Sequence, residues 1–361
     1  MTLFTPQPGI MEIALYEGGK SKIAGRDDVL KLSSNENPLG VPPSAQEAMV
    51  AAAGRVHLYP NTDHAPLRAA IGEVHGLDPE RIICGVGSDE VLQFVTQAFS
   101  GPGDEIIHTE HGFSMYPVLT HMAGATVVRV SEAERVVDVD AILGAVTERT
   151  KIVLLTNPGN PTGTMLSDAE LLRLTDGLPE RVILVIDAAY AEYAEGYDGG
   201  ASLATERRNV LMTRTFSKIY GLGGLRVGWG YGSKEMIEVM TRIRQPFNLS
   251  DLQMQAAEAA VRDPDWARDC AALNADQRAR LTGALRQLGL ACDDSQTNFV
   301  LARFTDEGEA AAADAALQGE GIIVRRVTGY GFPEGLRITV GDEDQTGRVI
   351  DALTRWREAG A

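Results

Sequence analysis

Cysteine is scarce in this chain of 361 residues, which contains only Cys84, Cys270 and Cys292. An odd number of widely spaced cysteines predicts neither a disulfide framework nor a zinc site, so we interpret them as buried free thiols. His108 and His111 lie close together, but no other histidine, cysteine or carboxylate set has the spacing of metal ligands. We therefore predict no metal centre.

Long apolar runs and basic clusters are also absent. The strongly apolar run 182–186 is far shorter than the roughly 20 residues that span a membrane, and no other run approaches that length. The longest basic cluster is "RIR" at 242–244, and a formal net charge of -17 with a pI near 4.8 repels nucleic acid and anionic lipid. The first twenty residues show no basic segment followed by an apolar core. We expect a cytoplasmic protein without nucleic-acid or membrane partners.

Strand-like runs alternate with helical patterns through the middle of the chain. The runs are "RIIC", "DEIIH", "ATVVRV", "KIVLLT", "RVILVID" and "VLMTRT", and helical patterns cover 88–99 and about 114–122. This alternation predicts an α/β fold with a mostly parallel central sheet and helices on both faces.

The pattern changes after Pro246. Long helical stretches at 252–261 and 266–288 are followed by "FVLARF", an Ala-rich helix, "IIVRRV", "LRITV" and a closing helix, which predicts a smaller α+β domain. We predict an N-terminal arm at 1–30 that packs on the small domain or on a partner, a large domain at 31–245, and a small domain at 246–361.

Four polar loops follow the carboxyl ends of the strands: "CGVGSDE", "TNPGNPTG", "DAAY" and "TFSK". Open α/β sheets bind their ligands at this edge, so we expect the loops to share one crevice. In the first loop, glycines precede Ser88 at the start of a helix, where free N–H groups can hold a phosphate. A helix cap explains Ser88 as well, and Glu90 replaces the third glycine of a dinucleotide fingerprint, which argues against NAD.

The second and third loops present one amide, one carboxylate and one phenol. Prolines and glycines preset the backbone around Asn160, although a bare turn would look the same. Asp187 ends a strongly apolar strand, where a carboxylate is costly without a cationic partner, and Tyr190 follows three residues later. A buried structural aspartate is the alternative interpretation.

The fourth loop contains Lys218, in a chain whose other lysines are Lys20, Lys22, Lys31, Lys151 and Lys234. Ser217 precedes Lys218, and a glycine-rich segment leads on to Arg226. Lys218 is either a solvated loop residue or an amine whose pKa is lowered in a dry crevice, so that it becomes nucleophilic. Together the four loops supply the groups that pyridoxal phosphate requires: an amine, a carboxylate for the ring nitrogen, donors for the ring hydroxyl, and phosphate ligands.

Motifs along the whole chain carry a family resemblance: "LSSNENPLG", "LYP", "GSDE", "NPTG", "RTFSK" with "GLRVG", "QTNF" and "LRITVG". The chain resembles the fold-type-I pyridoxal-phosphate aminotransferases, and within them the branch of histidinol-phosphate aminotransferases. The resemblance implies transfer of an amino group from L-histidinol phosphate to 2-oxoglutarate, in a homodimer with shared active sites. The products would be imidazole acetol phosphate and L-glutamate.

The resemblance also implies roles for individual residues. Lys218 would bind the cofactor covalently, Asp187 would pair with the ring nitrogen, and Asn160 and Tyr190 would bond the ring oxygen. The phosphate ligands would be Ser88, Asp89, Ser217, Arg226 and, from the partner subunit, Tyr59. Phe113 would stack on the ring, and the substrate contacts would be Tyr16, Asn35, Arg325 and Arg337.

Two departures affect the choice of branch. Ala188 stands where the family usually has glutamate, and Gly159 stands where it usually has asparagine. The alternatives within enzymes are an aromatic-amino-acid aminotransferase and a pyridoxal-phosphate decarboxylase of a phosphorylated amino acid. A catalytically silent binding protein is disfavoured by the presence of Lys218, Asp187 and Arg337.

Overall fold

The computed structural model describes residues 4–15 and 18–360. The helices are α1 (Pro43–Ala53), α2 (Ala65–His75), α3 (Gly87–Phe99), α4 (Met115–Ala123), α5 (Val139–Ala145), α6 (Asp168–Gly177), α7 (Ala201–Glu206), α8 (Lys234–Ile243), α9 (Asp251–Val261), α10 (Pro264–Gln287), α11 (Glu307–Gly319) and α12 (Glu343–Ala359). The strands are β1 (Leu30–Lys31), β2 (Ile82–Gly85), β3 (Glu105–Thr109), β4 (Thr126–Val130), β5 (Glu132–Ala133), β6 (Val136–Val137), β7 (Thr150–Thr156), β8 (Ile183–Asp187), β9 (Val210–Thr215), β10 (Gly228–Tyr231), β11 (Phe299–Arg303), β12 (Ile322–Ile323), β13 (Arg325–Val327) and β14 (Phe332–Thr339).

The large domain is built on a seven-stranded sheet with the order β2-β10-β9-β8-β7-β3-β4. The pairs from β9 through β4 are parallel, and β10 runs antiparallel to both of its neighbours. Successive side chains of β7 enter different cores: Ile152 and Leu154 pack in one cluster, Val153 and Leu155 in another. Side chains alternate across a strand, so the sheet is covered on both faces. The predicted fold class is confirmed.

A second core lies in the carboxyl-terminal part, around an antiparallel sheet with the order β11-β14-β13. The segment "IIVRRV" is divided between two sheets. Its first half, β12, pairs with β1, where Leu30 lies opposite Ile322, and its second half, β13, pairs with β14. Ile322 and Ile323 are buried, and each lies opposite a residue of the chain at 30–31.

Near the predicted domain boundaries, some segments pack against the domain on the other side of the boundary. Residues of α9, including Met254, Ala257 and Val261, belong to the core of the large domain, while strand β1 pairs within the small one. In the N-terminal arm, the turn Ile10–Glu12 lies against α4, and Lys20 Nζ donates a hydrogen bond of 2.5 Å to Gln318 of α11. The division at 30/31 and 245/246 stays a prediction.

Metal ligands and membrane spans can be assessed over 4–15 and 18–360. Within these residues there is no cluster of three or more histidine, cysteine, aspartate or glutamate side chains that could hold a metal ion. No helix in this part of the chain is long and apolar enough to cross a membrane. The three cysteines are buried and unpaired.

Candidate active site

A cavity of about 220 Å³ lies where the carboxyl ends of β7, β8 and β9 meet the small domain. The four predicted loops all reach it, as expected for an open parallel sheet. The predicted site residues in its lining are Asn35, Ser88, Asp89, Phe113, Asn160, Asp187, Tyr190, Ser217, Lys218, Arg226, Arg325 and Arg337. The structure therefore brings together residues that are up to about 300 positions apart in the sequence.

Lys218 lies just beyond the end of β9 and points its amine into the cavity. Nζ donates a hydrogen bond of 3.4 Å to the carbonyl of Ser34 and lies 5.8 Å from the centre of the Tyr190 ring. Burial of the amine, followed by repulsion from Arg337, lowers the pKa of Lys218 to about 8. A much larger fraction of this amine is neutral near pH 7 than in an ordinary lysine, which makes it a nucleophile and a proton acceptor.

Asp187 is buried at the end of β8, and within the described part of the chain the hydrogen-bond donors to its carboxylate are uncharged. Tyr116 Oη donates to Oδ2 at 3.2 Å and Thr213 Oγ1 donates to Oδ1 at 3.3 Å. Burial, followed by repulsion from Asp89, raises the pKa of Asp187 to about 6. A cationic group bound in the cavity would stabilise the ionised form of this buried carboxylate.

The start of α3 and the turn around Arg226 form a small cradle. Arg226 Nη1 donates to Ser217 Oγ at 3.1 Å, and Nη2 donates to Asp89 Oδ2 at 3.0 Å. A Cβ on Gly87, whose φ is +78°, would lie 2.5 Å from Arg226 Nη2, and one on Gly228 would lie 2.1 Å from Ser88 N. Glycine is therefore required at both positions, and the cradle presents a helix N-terminus beside a guanidinium, which suits a phosphate.

Asn35 and Arg337, which are held by the small domain, form hydrogen bonds with site residues of the large domain. Asn35 Nδ2 donates to Tyr190 Oη at 2.9 Å, and Arg337 Nη1 donates to Asn160 Oδ1 at 2.6 Å. Burial raises the pKa of Tyr190 to about 12, so its hydroxyl keeps its proton at neutral pH. The proton of Tyr190 and the amide of Asn160 remain available to a ligand in the cavity.

The loop that contains Asn35 is held by side chains that the sequence analysis did not single out. Asn35 has a left-handed backbone with φ of 57°. Its N–H donates to Thr339 Oγ1 at 3.0 Å, and its carbonyl accepts from Asn298 Nδ2 at 2.9 Å. Both partners lie in the quoted motifs "LRITVG" and "QTNF", so their role could have been sought there.

Arg325 and Arg337 are directly opposite each other on the antiparallel pair β13–β14. Directly opposite residues project from the same face of a sheet, and both arginines line the cavity. Two guanidinium groups on one face of a sheet can both donate hydrogen bonds to an anionic ligand in the cavity. Tyr330 also lines the cavity, and its hydroxyl lies 3.0 Å from Ser114 Oγ.

One predicted site residue, Tyr59, does not line the cavity in the described chain. Tyr59 is 83% exposed, and its ring packs 4.5 Å from that of Phe247 on the outer surface. Tyr16 lies outside the described residues. The predicted contact of Tyr59 with a partner subunit's phosphate stays a prediction.

Further lining residues were missed by the sequence analysis, and neither departure from the family pattern lines the cavity. The missed residues are Gly19, Ser33, Ser34, Thr156, Ala189, Thr215 and Tyr330. Five of them lie in motifs already quoted, where they could have been sought: Ser33 and Ser34 in "LSSNENPLG", Thr156 in "TNPGNPTG", Ala189 in "DAAY" and Thr215 in "RTFSK". Gly19 and Tyr330 lie outside these motifs and have no local signal. Ala188 is buried in the large core, and a Cβ on Gly159 would lie 2.6 Å from Thr162 Oγ1.

Known proteins similar to this chain belong to one family of enzymes. The family model for "Aminotransferase class I and II" matches residues 27–353. A histidinol-phosphate aminotransferase of Ruegeria pomeroyi is 64% identical over the full length of both chains, and one of Jannaschia sp. is 58% identical over 97% of each.

Solved structures show the same architecture. The crystal structure of histidinol-phosphate aminotransferase from Sinorhizobium meliloti, in complex with pyridoxal-5'-phosphate, superposes with a TM-score of 0.91 at 27% identity. The superposition covers 100% of this chain and 99% of that one. The chain belongs to the class I and II aminotransferases.

Proposed function

We propose that this chain transfers the amino group of L-histidinol phosphate to 2-oxoglutarate with pyridoxal phosphate as its cofactor, giving imidazole acetol phosphate and L-glutamate. The observation that carries the proposal is the pair Arg325 and Arg337, directly opposite each other at the wall of a cavity that also contains the Lys218 amine. The relatives at 57–64% identity that are named histidinol-phosphate aminotransferase support it.

The residues present fit pyridoxal phosphate. The buried carboxylate of Asp187, which has only uncharged donors among the described residues, fits a protonated ring nitrogen. The cradle of Ser88, Ser217 and Arg226 fits the phosphate, and Lys218 fits the aldehyde. When bound, the cofactor supplies the electron sink that weakens the carbon–hydrogen bond beside the substrate nitrogen.

The protein's own groups hold and move protons. Lys218 Nζ, with a pKa of about 8, would accept the proton from the amine-bearing carbon of the substrate and would pass it to the cofactor carbon that bears the transferred nitrogen. Asp187, with a pKa of about 6, is mostly ionised at pH 7 and stabilises positive charge at the ring nitrogen. Tyr190 keeps its proton and would donate a hydrogen bond to a ring oxygen of the bound cofactor, as would the Asn160 amide.

The substrates differ in their anionic groups, and the two arginines accommodate both. Histidinol phosphate has a phosphate and no carboxylate, whereas glutamate and 2-oxoglutarate have two carboxylates. Arg325 and Arg337 project from one sheet face, so their guanidinium groups can bind either kind of anion by paired hydrogen bonds.

We also infer a homodimer from the exposed apolar surface around Tyr59. Val56, Leu58, Tyr59 and Phe247 are between 47% and 83% exposed, and a second copy that covered them would remove this surface from water. The cytoplasmic location stays a prediction.

A turnover assay with a panel of amino donors tests the proposed function. We expect histidinol phosphate to exceed histidinol, phenylalanine and tyrosine in kcat/KM, and Lys218→Ala to lose turnover with every donor. A higher kcat/KM for phenylalanine or tyrosine would assign the chain to the aromatic aminotransferases instead. Product formation without amino transfer, with release of carbon dioxide, would assign it to the decarboxylases.

A further inference from the structure

Gln253, at the start of α9, bridges two parts of the structure with its side-chain amide. Its Oε1 accepts from the backbone N–H of Ser250 at 2.7 Å, which completes a capping box. Its Nε2 donates to the carbonyl of Leu225 at 2.7 Å and to the carbonyl of Arg226 at 3.3 Å. Because an N–H faces one end of the amide and carbonyls face the other, only one orientation of the amide satisfies both.

The turn that receives these hydrogen bonds is strained. Arg226 has φ of 57° and ψ of 66°, a left-handed conformation that is uncommon for residues with a side chain. The Leu225 carbonyl belongs to the peptide before the Arg226 α-carbon, and the Arg226 carbonyl belongs to the peptide after it. One amide therefore holds both peptide planes that determine φ and ψ of Arg226.

The direction of the Arg226 side chain depends on this backbone conformation. In the left-handed conformation, the Arg226 guanidinium donates to Ser217 Oγ and to Asp89. It also passes close to Gly87, where a Cβ would lie only 2.5 Å from Nη2. A relaxed backbone at Arg226 would turn the side chain away from the start of α3. The helix N-terminus alone would then remain to bind an anion in the cradle.

We propose that Gln253 is a positioning residue for Arg226 and thereby sets the preference of the cradle for a phosphate monoester. The inference rests on the proposed function, because it takes the ligand of the cradle to be the phosphate of pyridoxal phosphate. Gln253 does not line the cavity and acts only through the turn at 225–226.

The test compares two ligands that differ only in the phosphate. Dissociation constants for pyridoxal phosphate and for pyridoxal are measured on the full-length chain after removal of bound cofactor. Wild type is compared with Gln253→Leu, Gln253→Glu and Ser250→Ala. Gln253→Leu removes both donors without adding charge. Gln253→Glu keeps the acceptor for the Ser250 N–H, and Ser250→Ala weakens the cap but keeps the donors.

We expect the preference for pyridoxal phosphate over pyridoxal to fall about tenfold in both Gln253 variants and to stay unchanged in Ser250→Ala. Thermal unfolding of the cofactor-free variants reports any loss of the helix cap separately. If Gln253→Leu does not fold, the ligand preference of wild type is compared with that of Gln253→Glu, which keeps the helix cap.

The outcomes separate the inference from the proposed function. Equal affinity of wild type for the two ligands contradicts the phosphate cradle, and with it the proposed function. A wild-type preference that persists in both Gln253 variants contradicts the inference alone and leaves Gln253 as a helix cap.

Discussion

Asn35 Nδ2 donates a hydrogen bond of 2.9 Å to Tyr190 Oη, which joins a loop held by the small domain to the third loop of the large one. Asn35 has φ of 57°, so alanine at this position would add backbone strain, whereas glycine would remove only the side chain. We therefore expect Asn35→Gly to lower kcat/KM about tenfold with cofactor still bound.

A double-mutant cycle that combines Asn35→Gly with Tyr190→Phe tests whether the hydrogen bond between the two residues accounts for this loss. If the two groups act as one unit, the double variant should lose little more activity than either single variant. Additive losses would show that Asn35 and Tyr190 contribute independently.

Lys218 is expected to be the covalent attachment site of the cofactor, because it alone among the lysines of the described chain lines the cavity. Borohydride reduction with pyridoxal phosphate followed by peptide mapping should label Lys218. Lys151 and Lys234, both outside the cavity lining, serve as internal controls. Label on either of them in place of Lys218 would contradict the assignment.

Asp187→Asn is expected to stabilise the cofactor-free protein at pH 7 to 8. The pKa of Asp187 is raised to about 6 from an ordinary 3.8, so the folded state holds the proton more tightly than the unfolded state does. Stability from this group is therefore greatest below pH 4 and falls as pH rises through 6. The ionised carboxylate then costs about 3 kcal/mol in the folded state, a cost that asparagine lacks.

Thermal unfolding of wild type and Asp187→Asn between pH 4 and pH 8 tests whether the variant is the more stable of the two. The stability difference should grow with pH and level off above the folded-state pKa. The same variant should bind pyridoxal phosphate more weakly, because it offers no negative charge to the ring nitrogen. A variant less stable than wild type at pH 8 would show that the carboxylate has a cationic partner.

Arg325→Ala is expected to narrow the preference for histidinol phosphate over histidinol and to leave cofactor binding intact. A charge-assisted pair contributes roughly 1.5 to 3 kcal/mol, so the preference should fall by about ten- to more than a hundredfold. Arg326→Ala is the matched control, because Arg326 lies opposite Leu336 on the other face and pairs with Glu307. An equal fall of this preference in both variants would contradict a direct contact of Arg325 with the substrate.

Mixed dimers test whether Tyr59 completes the site of a second subunit. Tyr59→Ala and Lys218→Ala chains should each be nearly inactive. Mixing them should restore part of the activity, because one site of each mixed dimer has both groups intact. The amount of mixed dimer is measured separately with differently tagged chains. Mixed dimers without activity would contradict a shared site.

Local patterns in the sequence account for much of the fold and the cofactor cradle. Apolar runs ending in "ILVID" and "VLMTRT" predict buried parallel strands, and β8 and β9 are found there. The polar residues at the ends of these strands must reach one edge of the sheet, so the sequence alone places Asp187 and Lys218 together.

The split of "IIVRRV" and the membership of α9 in the large core depended on tertiary contacts. Nothing within "IIVRRV" separates Ile322 from Arg325, because the break arises from pairing with Leu30 and Lys31, almost 300 residues earlier in the chain. Likewise, the left-handed turn at Arg226 is held by Gln253, a residue that looks like an ordinary capping-box glutamine in the sequence.

The sequence by itself determined the kind of chemistry, because an amine, a carboxylate and glycine-rich turns must stand at strand ends to serve one ligand. Only the tertiary structure decided the chemical state of these groups. The pKa of Lys218 falls and that of Asp187 rises because folding removes both from water and places Arg337 and Asp89 near them. These effects depend on distances between distant segments, and composition and spacing along the chain contain no measure of such distances.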